Sequence, residues 1–310
     1  MLMNKILNEV MDNIQTFNPQ SYENMTVIGL NIPENKKVDL MSLEIGLDLG
    51  LVEISEIDEG GTVGKVKVIN NAVTPLLILD GEEIIGSKQN RVVNATIIID
   101  AKSEKIIPVS CTEAGRWAYN TDKFQYSQHM AASRVRRNKL GSVSKSLRNI
   151  GSFKSNQSRV WADIADIEDD LHIESKTSAL NDSYRQRELD IEEYKNAFSL
   201  QENQNGLLVY INGQVVGLEM VYNTSRYKEY HDKLVESYII DAISKSDEKY
   251  DQSKESEADF LDDIRKASFE SFDSVGLGVD YRIENEDITG SAMVFEDTVI
   301  NASIFKKIEI

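Results

Sequence analysis

The stretch GLLVYINGQVVGLEMVY, Gly206 to Tyr222, decides the fold class. Two apolar runs meet at Asn212-Gly213, and both residues accept the positive φ that the central positions of a type I′ turn demand. A β-hairpin over 207–221 follows. It stands among helical patterns: HMAASRVRRNKL, NQSRVWADIADIEDDL and SALNDSYRQRELDIEEYKNAF precede it, and RYKEYHDKLVESYIIDAISK comes after. Ser178 or Asn181 could cap the third of these, and Thr224 or Ser225 the fourth.

Outward from that centre the period changes. TVIGLNI (26–32), LVEIS (51–55), KVKVIN (65–70), TPLLILD (74–80), VVNATIIID (92–100) and IIPVSC (106–111) are short, β-branched and often alternating, as strands are. GLGVDYRIEN, ITGSAMVFED and VINASIFKK return to that pattern at about 276–306. Strands at both ends with helices between imply an α+β fold. The expected architecture is a mainly antiparallel sheet from the N-terminal third and the C-terminal strands, with a central helical segment and the inserted hairpin. A single domain over 1–310 is expected, with an acidic helix or linker at about 243–268. The opening MLMNKILNEVMDNIQTF places Leu2, Ile6, Val10 and Ile14 four apart, as on an amphipathic helix.

Composition narrows the class. With 41% hydrophobic residues and 28% charged among 310, the chain can build a real core. A formal net charge of -18 argues against a general binder of nucleic acid or anionic lipid, because uniform acidity repels both. One cysteine, Cys111, leaves no internal disulfide and fits a reducing compartment. No apolar run reaches the roughly 18 residues of a membrane span, so a cytoplasmic protein with no membrane partner is expected.

Within the strand-rich part, GEEIIGSKQNR (81–91) and SCTEAGRW (110–117) break the apolar pattern with hydrogen-bonding groups. The runs VVNATIIID and IIPVSC are separated only by AKSEK and should pair as an antiparallel hairpin. A turn centred near Lys102 and Ser103 puts Arg91 opposite Ala114, Val92 opposite Glu113 and Asn94 opposite Cys111. The polar stretches then converge where strands meet loops, a usual place for a site.

Each residue type suggests a role. Glu82 and Glu83 are adjacent, so an extended segment aims one inward and the other outward. Glu83 and Glu113 could work as general acid and base or hold a divalent cation; equally, they could pair with Lys88, Arg91 and Arg116 to brace the loops. No further cofactor is implied. Lys88, Arg91 and Arg116 suit phosphate. Gln89 and Asn90 can read donors and acceptors on a base or ribose. Trp117 could stack on a base, although a Trp beside a strand end is more often core. Cys111 has no His nearby in sequence and reads as apolar filler rather than nucleophile.

From Lys123 to Ala162 there is no acid, while nine Lys and Arg residues occur, Arg134, Arg136 and Arg137 among them. The segment reads as an anion seat able to fold over the polar stretches as a lid, with the GSVSKSLRNIGSFKSNQSR loop supplying donors such as Ser155 and Gln157. Ser155 or Asn156 could cap the helix that begins near Gln157. Alternatively, the segment neutralises an acidic face of this chain or of a second subunit in a homo-oligomer. No P-loop, G-x-G-x-x-G, H-E-x-x-H, G-x-S-x-G or Cys-pair motif occurs, and the three histidines are dispersed.

LDGEEIIGSKQNR, PVSCTEAGRW, SNQSRVW, TSALNDSY and GQVVGLEM, with the helix around KLVESYIIDAI, run in order from about residue 75 to 245, and VINASIF lies near the end. In these pieces the chain resembles the bacterial proteins named for association with ADP-ribosylglycohydrolases and rhodanese-fold phosphatases. Ser87, Thr112 and Asn301 depart from that pattern, where alanine, valine and histidine are usual. The resemblance implies a system handling NAD-derived or ADP-ribose-containing molecules. Together with the residues, it supports a small nucleotide ligand that is bound and processed by hydrolysis of a glycosidic or phosphate bond. The alternatives are a sensor or sponge that sequesters a nucleotide immune signal, and an accessory acting on a short RNA end or tRNA.

Overall fold

The hairpin forms where its turn residues place it. Gly206–Ile211 pairs antiparallel with Gln214–Val221, and Asn212 and Gly213 take φ of 51° and 76° at the turn. It lies in the middle of a nine-stranded sheet. On one side Gly206–Ile211 pairs with Met25–Asn31. On the other, Gln214–Val221 pairs with Thr298–Lys306, followed in the sheet by Ile288–Phe295, Val279–Glu284 and Ser268–Asp273. The chain is therefore α+β, with N- and C-terminal strands joined into one sheet through the hairpin.

The computed structural model describes residues 2–33, 36–246 and 256–307. The chain divides into two compact units: Met1–Val38, Glu188–Asp273 and Val279–Ile310 in one, Asp39–Arg187 and Ser274–Gly278 in the other.

In the first unit, strand alternation sorts the side chains to two faces. Leu208, Leu218, Met220, Ala302 and Ile304 turn to one face, where Val10 and Met11 of the helix Leu2–Asp12 and Phe260 and Ile264 of the helix Glu257–Lys266 pack on them. Each large apolar side chain buried there contributes about 1.5–3 kcal/mol. Ile6 and Ile14 of the N-terminal stripe lie against this cluster, while the side chain of Leu2 lies outside the described residues. On the other face, Glu219 accepts hydrogen bonds from the hydroxyls of Tyr238 (2.9 Å) and Ser303 (2.6 Å). Tyr238 belongs to the helix Thr224–Ser244, which is capped by Asn223 accepting from the Arg226 amide rather than by Thr224 or Ser225. Of the acidic stretch expected at about 243–268, residues 247–255 lie outside the described residues, and Ser268–Asp273 is a strand.

The second unit holds two sheets. One is antiparallel throughout, in the order Phe124–Met130, Glu82–Gly86, Arg91–Val93, Ser103–Cys111, Lys65–Asn70, Val52–Ser55. The other sets Ile97–Ile99 antiparallel and Met41–Ser42 parallel to Leu76–Ile78. Val92–Asp100 is thus two strands, not one. Between them Asn94 donates to the Phe153 carbonyl (3.1 Å) and accepts from the Ser110 hydroxyl (2.6 Å), while the Thr96 hydroxyl takes the Asp80 amide (3.1 Å). These side-chain bonds compete with the ladder and bend the chain.

That bend corrects the expected register. Arg91 lies opposite Cys111, Val92 opposite Ser110 and Val93 opposite Val109. The expected pairing was three residues out because Ile97–Ile99 leaves to join Leu76–Ile78. The polar stretches still meet.

The acid-free segment is also corrected. It is no flexible lid, because Ser133–Ile150 is one continuous helix, closed by Gly151 at φ 61°. Its residues Arg136, Arg137 and Lys139 are buried. The helical pattern read from His129 begins four residues later, because Phe124–Met130 is a strand. The pattern SALNDSYRQRELDIEEYKNAF is two helices, Leu180–Gln186 and Glu188–Lys195, and the first has no side-chain cap.

Candidate functional site

The loop between Glu82–Gly86 and Arg91–Val93 is closed by its own side chains. Gly86 at φ 104° and Ser87 at φ 44° turn the chain, and the Gly86 amide donates to Asn90 Oδ1 (3.0 Å). Arg116 reaches in from the segment after the Ser103–Cys111 strand. Its Nε and Nη2 donate to Glu113 Oε1 (2.9 Å) and Oε2 (2.6 Å), and its Nη1 donates to the Ser87 carbonyl (2.6 Å). Asn90 is tied into the same pair: its backbone amide donates to Glu113 Oε2 (3.2 Å), and its Oδ1 also accepts from Arg116 (3.3 Å). Burial works to raise the Glu113 pKa, but hydrogen bonds from Arg116, Thr177 and the Asn90 amide outweigh it and hold the carboxyl below its usual value.

The expectation that only one of Glu82 and Glu83 turns inward fails, since both are 1% exposed. Each side of the strand is covered by another element that supplies donors. Glu82 accepts from the Leu79 amide (2.6 Å) and the Tyr126 hydroxyl (2.9 Å). Glu83 accepts from the hydroxyls of Thr112 (2.6 Å) and Ser127 (3.1 Å). Burial raises the Glu83 pKa against those hydrogen bonds.

Arg91, at the opposite end of the loop, is fully buried. Its Nη1 donates to the Gln89 carbonyl (3.0 Å), Gln89 Oε1 (3.3 Å) and the Asn90 carbonyl (3.3 Å). Its Nη2 stands 3.6 Å from Glu56 Oε1. Neither Nη2 nor Nε donates a hydrogen bond, and Glu56 Oε2 accepts none. Buried polar atoms are nearly always partnered, so the three orphans on these two facing residues leave donors and an acceptor for a water or a ligand group to complete.

Aromatic rings flank these groups. The Arg91 guanidinium carbon lies 5.6 Å from the centre of the Trp117 ring, and Lys88 Nζ lies 5.5 Å from Trp117 and 4.9 Å from Tyr119. Trp117 is 46% exposed and Tyr119 50%, so the Trp is not core. Lys88 is also the pin of the preceding loop, donating to the carbonyls of Glu59 (2.6 Å) and Gly60 (2.8 Å). Gly61, at φ 74°, belongs to the same cluster: a Cβ there would stand 3.3 Å from Trp117 and 3.4 Å from Glu56 Oε2. Cys111, opposite Arg91, is buried, and burial pushes its thiol up to about 11, which keeps it protonated at neutral pH.

The polar stretches of the sequence single out neither Glu56 nor Tyr119. A signal existed for Glu56. Val52 and Ile54 point inward along LVEIS, and the same alternation aims the next residue but one, Glu56, inward as well.

The remaining expected residues lie elsewhere in the unit. Arg134 pairs with Asp170 (2.8 Å), Arg136 lies against Gly81, and Arg137 is one of the charges acting on Asp163. Lys139 of the same helix bonds Asp80. Four cations of the run, Lys123, Arg134, Lys139 and Arg159, are thus ion-paired with acids of their own unit. Ser155 shares a hydrogen bond with Ser110. Gln157 clamps the Cys111 backbone, accepting from its amide (2.7 Å) and donating to its carbonyl (2.9 Å). Asn156, not Ser155, caps the helix Gln157–Asp170. Ser155 and Gln157 therefore fix the strand end that faces Arg91. Among the described residues, no group of three or more His, Cys, Asp or Glu side chains is arranged to hold a metal ion.

Residues 13–305 match the family model of the ARG and Rhodanese-Phosphatase-superfamily-associated Protein domain, ARPP-1. The chain belongs to the ARPP-1 family. No curated protein and no solved structure matches it. Four of the sequence pieces that carry the likeness meet within this one ARPP-1 unit. LDGEEIIGSKQNR supplies Glu83 and Arg91, and SCTEAGRW pairs with it through Cys111. SNQSRVW holds Cys111 through Gln157, and TSALNDSY lies against SCTEAGRW, where the Gly115 amide donates to the Thr177 carbonyl (2.7 Å). The other pieces, GQVVGLEM and VINASIF, pair with each other in the nine-stranded sheet of the first unit, where Asn301 donates to the Met220 carbonyl (2.9 Å).

Proposed function

We propose that this ARPP-1 chain binds a nucleotide of the ADP-ribose or NAD-derived type, holding phosphate at Arg91 and a base against Trp117 and Tyr119. The observation that carries the reading is Arg91, a buried guanidinium with Nε and Nη2 unbonded beside an exposed Trp face. A buried, unsatisfied guanidinium edge favours an anion with two oxygens in its plane. An aromatic face next to it favours a flat ring, at about 1–3 kcal/mol per stacked base.

Capture without turnover is the form the geometry favours, because every carboxylate oxygen of Glu83 and Glu113 already accepts a hydrogen bond. One observation supports processing as the second reading: Glu83 is raised and Glu113 lowered, and carboxyls driven apart in this way suit an acid and a base. Incubation with NAD, ADP-ribose and their cyclic relatives, followed by denaturation and chromatography, separates the two. Capture returns the ligand intact. A product that forms with the parent and disappears in Glu83→Gln or Glu113→Gln would make the chain a hydrolase instead.

A further inference from the structure

We infer that the part of the ligand held between Arg91 and Glu56 is a sugar phosphate with a free hydroxyl, the phosphate meeting Arg91 and the hydroxyl donating to Glu56 Oε2. The inference rests on the nucleotide-binding reading and specifies which chemistry the polar end of that site selects.

Three facts combine. Glu56 is 8% exposed, and its Oε2 accepts no hydrogen bond while Oε1 takes the Ser87 hydroxyl (3.3 Å) and faces Arg91 Nη2 (3.6 Å). An ionised carboxylate is acceptor-only, so what completes it must bring a donor. Arg91 is donor-only, and with Nη1 spent on Gln89 and Asn90 its Nε and Nη2 require an acceptor. A ligand that satisfies both must carry an anionic oxygen and a hydroxyl close together. A ribose bearing a phosphate has that pattern.

Charge sharpens the selection. Glu113 is paired with Arg116, and the Cys111 thiol is protonated, so Glu56 is the acid that faces Arg91 directly, while Asp58, Glu59 and Asp122 act on the neighbouring Tyr119 beside Lys88. A fully ionised oxyanion such as sulfate, drawn to Arg91, sets an oxygen near the Glu56 carboxylate with no proton to share, and is repelled. A hydroxyl in that place turns repulsion into a charge-assisted hydrogen bond. Glu56 thereby acts as a specificity residue rather than as part of the phosphate grip.

The test uses the full chain, with binding of ADP-ribose, D-ribose 5-phosphate, its analogue lacking the ring hydroxyls (tetrahydrofuran-2-ylmethyl phosphate) and sulfate measured by calorimetry at about pH 8, where a phosphate monoester is fully ionised. In the parent, ribose 5-phosphate should bind at least about tenfold more tightly than the hydroxyl-free analogue or sulfate, a ratio in line with one hydrogen bond to a charged group. Glu56→Gln removes the repulsion, so sulfate should bind more tightly and the ratio should fall severalfold, with the thermal midpoint of the variant recorded as a check of folding. Equal binding of ribose 5-phosphate and its hydroxyl-free analogue by the parent would overturn the inference while leaving nucleotide binding intact. So would a ratio unchanged in a folded Glu56→Gln variant. Failure of every compound to bind, ADP-ribose included, would remove the nucleotide reading and this inference with it.

Discussion

Arg116 meets Glu113 through two parallel hydrogen bonds, Nε to Oε1 at 2.9 Å and Nη2 to Oε2 at 2.6 Å, with both side chains largely shielded from solvent. The pair also carries the loop above it, since Arg116 donates to the carbonyls of Ser87 (2.6 Å) and Ala118 (2.9 Å). Arg116→Met should therefore lower the unfolding free energy by about 2–4 kcal/mol, a little under the roughly 3–5 kcal/mol of a fully buried pair because Arg116 keeps 17% side-chain exposure. A double-mutant cycle with Glu113→Gln, read by urea denaturation, should return a coupling above about 1 kcal/mol. Additive losses would show that the two residues brace the loop independently.

The same pair sets a dependence on pH. The Glu113 carboxyl is held below its usual value, so its contribution to stability is present above the ordinary carboxylate range and is lost as pH falls through the lowered value. Acidification should destabilise the parent more than Glu113→Gln. Equal slopes in unfolding curves below pH 5 would contradict this.

Asp163 behaves in the opposite sense. It is 1% exposed on the helix Gln157–Asp170, accepts from Asn138 (2.9 Å) and Arg159 (2.9 Å), and burial nevertheless raises its pKa from 3.8 to about 6. A raised carboxyl stabilises the fold below its unfolded value and loses that contribution as pH rises through the folded one. Between about pH 4 and 6 the parent should lose stability relative to Asp163→Asn, by on the order of 2 kcal/mol. A stability difference between the two that is flat over that range would refute the assignment.

Gly115 is pressed against another segment: a Cβ there would stand 2.8 Å from the Thr177 Cα, which is backbone and cannot swing aside. Gly115→Ala should displace the Thr177 segment, cost about 1–3 kcal/mol and weaken Glu113 by withdrawing the Thr177 donor. Thermal unfolding of the variant gives the cost. A midpoint equal to the parent's would mean the segment yields freely.

How far the sequence reaches can be judged from particular residues. The hairpin at Asn212-Gly213 is legible because a turn of two positive-φ residues has few alternatives. The meeting of the two polar stretches is legible too, but not its register, because Asn94 and Thr96 bond across to Phe153 and Asp80, partners distant in the chain or outside the local pattern. The acid-free run misleads for a related reason. Charge patterning cannot reveal that the acids neutralising it, Asp80 and Asp170 among them, lie on other elements of the same unit. Trp117 and Glu56 reverse the ordinary expectations, one aromatic and exposed, the other charged and buried. Such reversals of the burial rule concentrate at sites.

Calorimetric titration of ADP-ribose into the parent and into Trp117→Ala decides whether a nucleotide is held beside Arg91. The parent should show one saturable site per chain, and the variant, with its unfolding midpoint near the parent's because Trp117 is 46% exposed, should bind roughly ten- to a hundredfold more weakly. No saturable heat from the parent, or a folded Trp117→Ala that binds as tightly as the parent, would contradict nucleotide capture at this site.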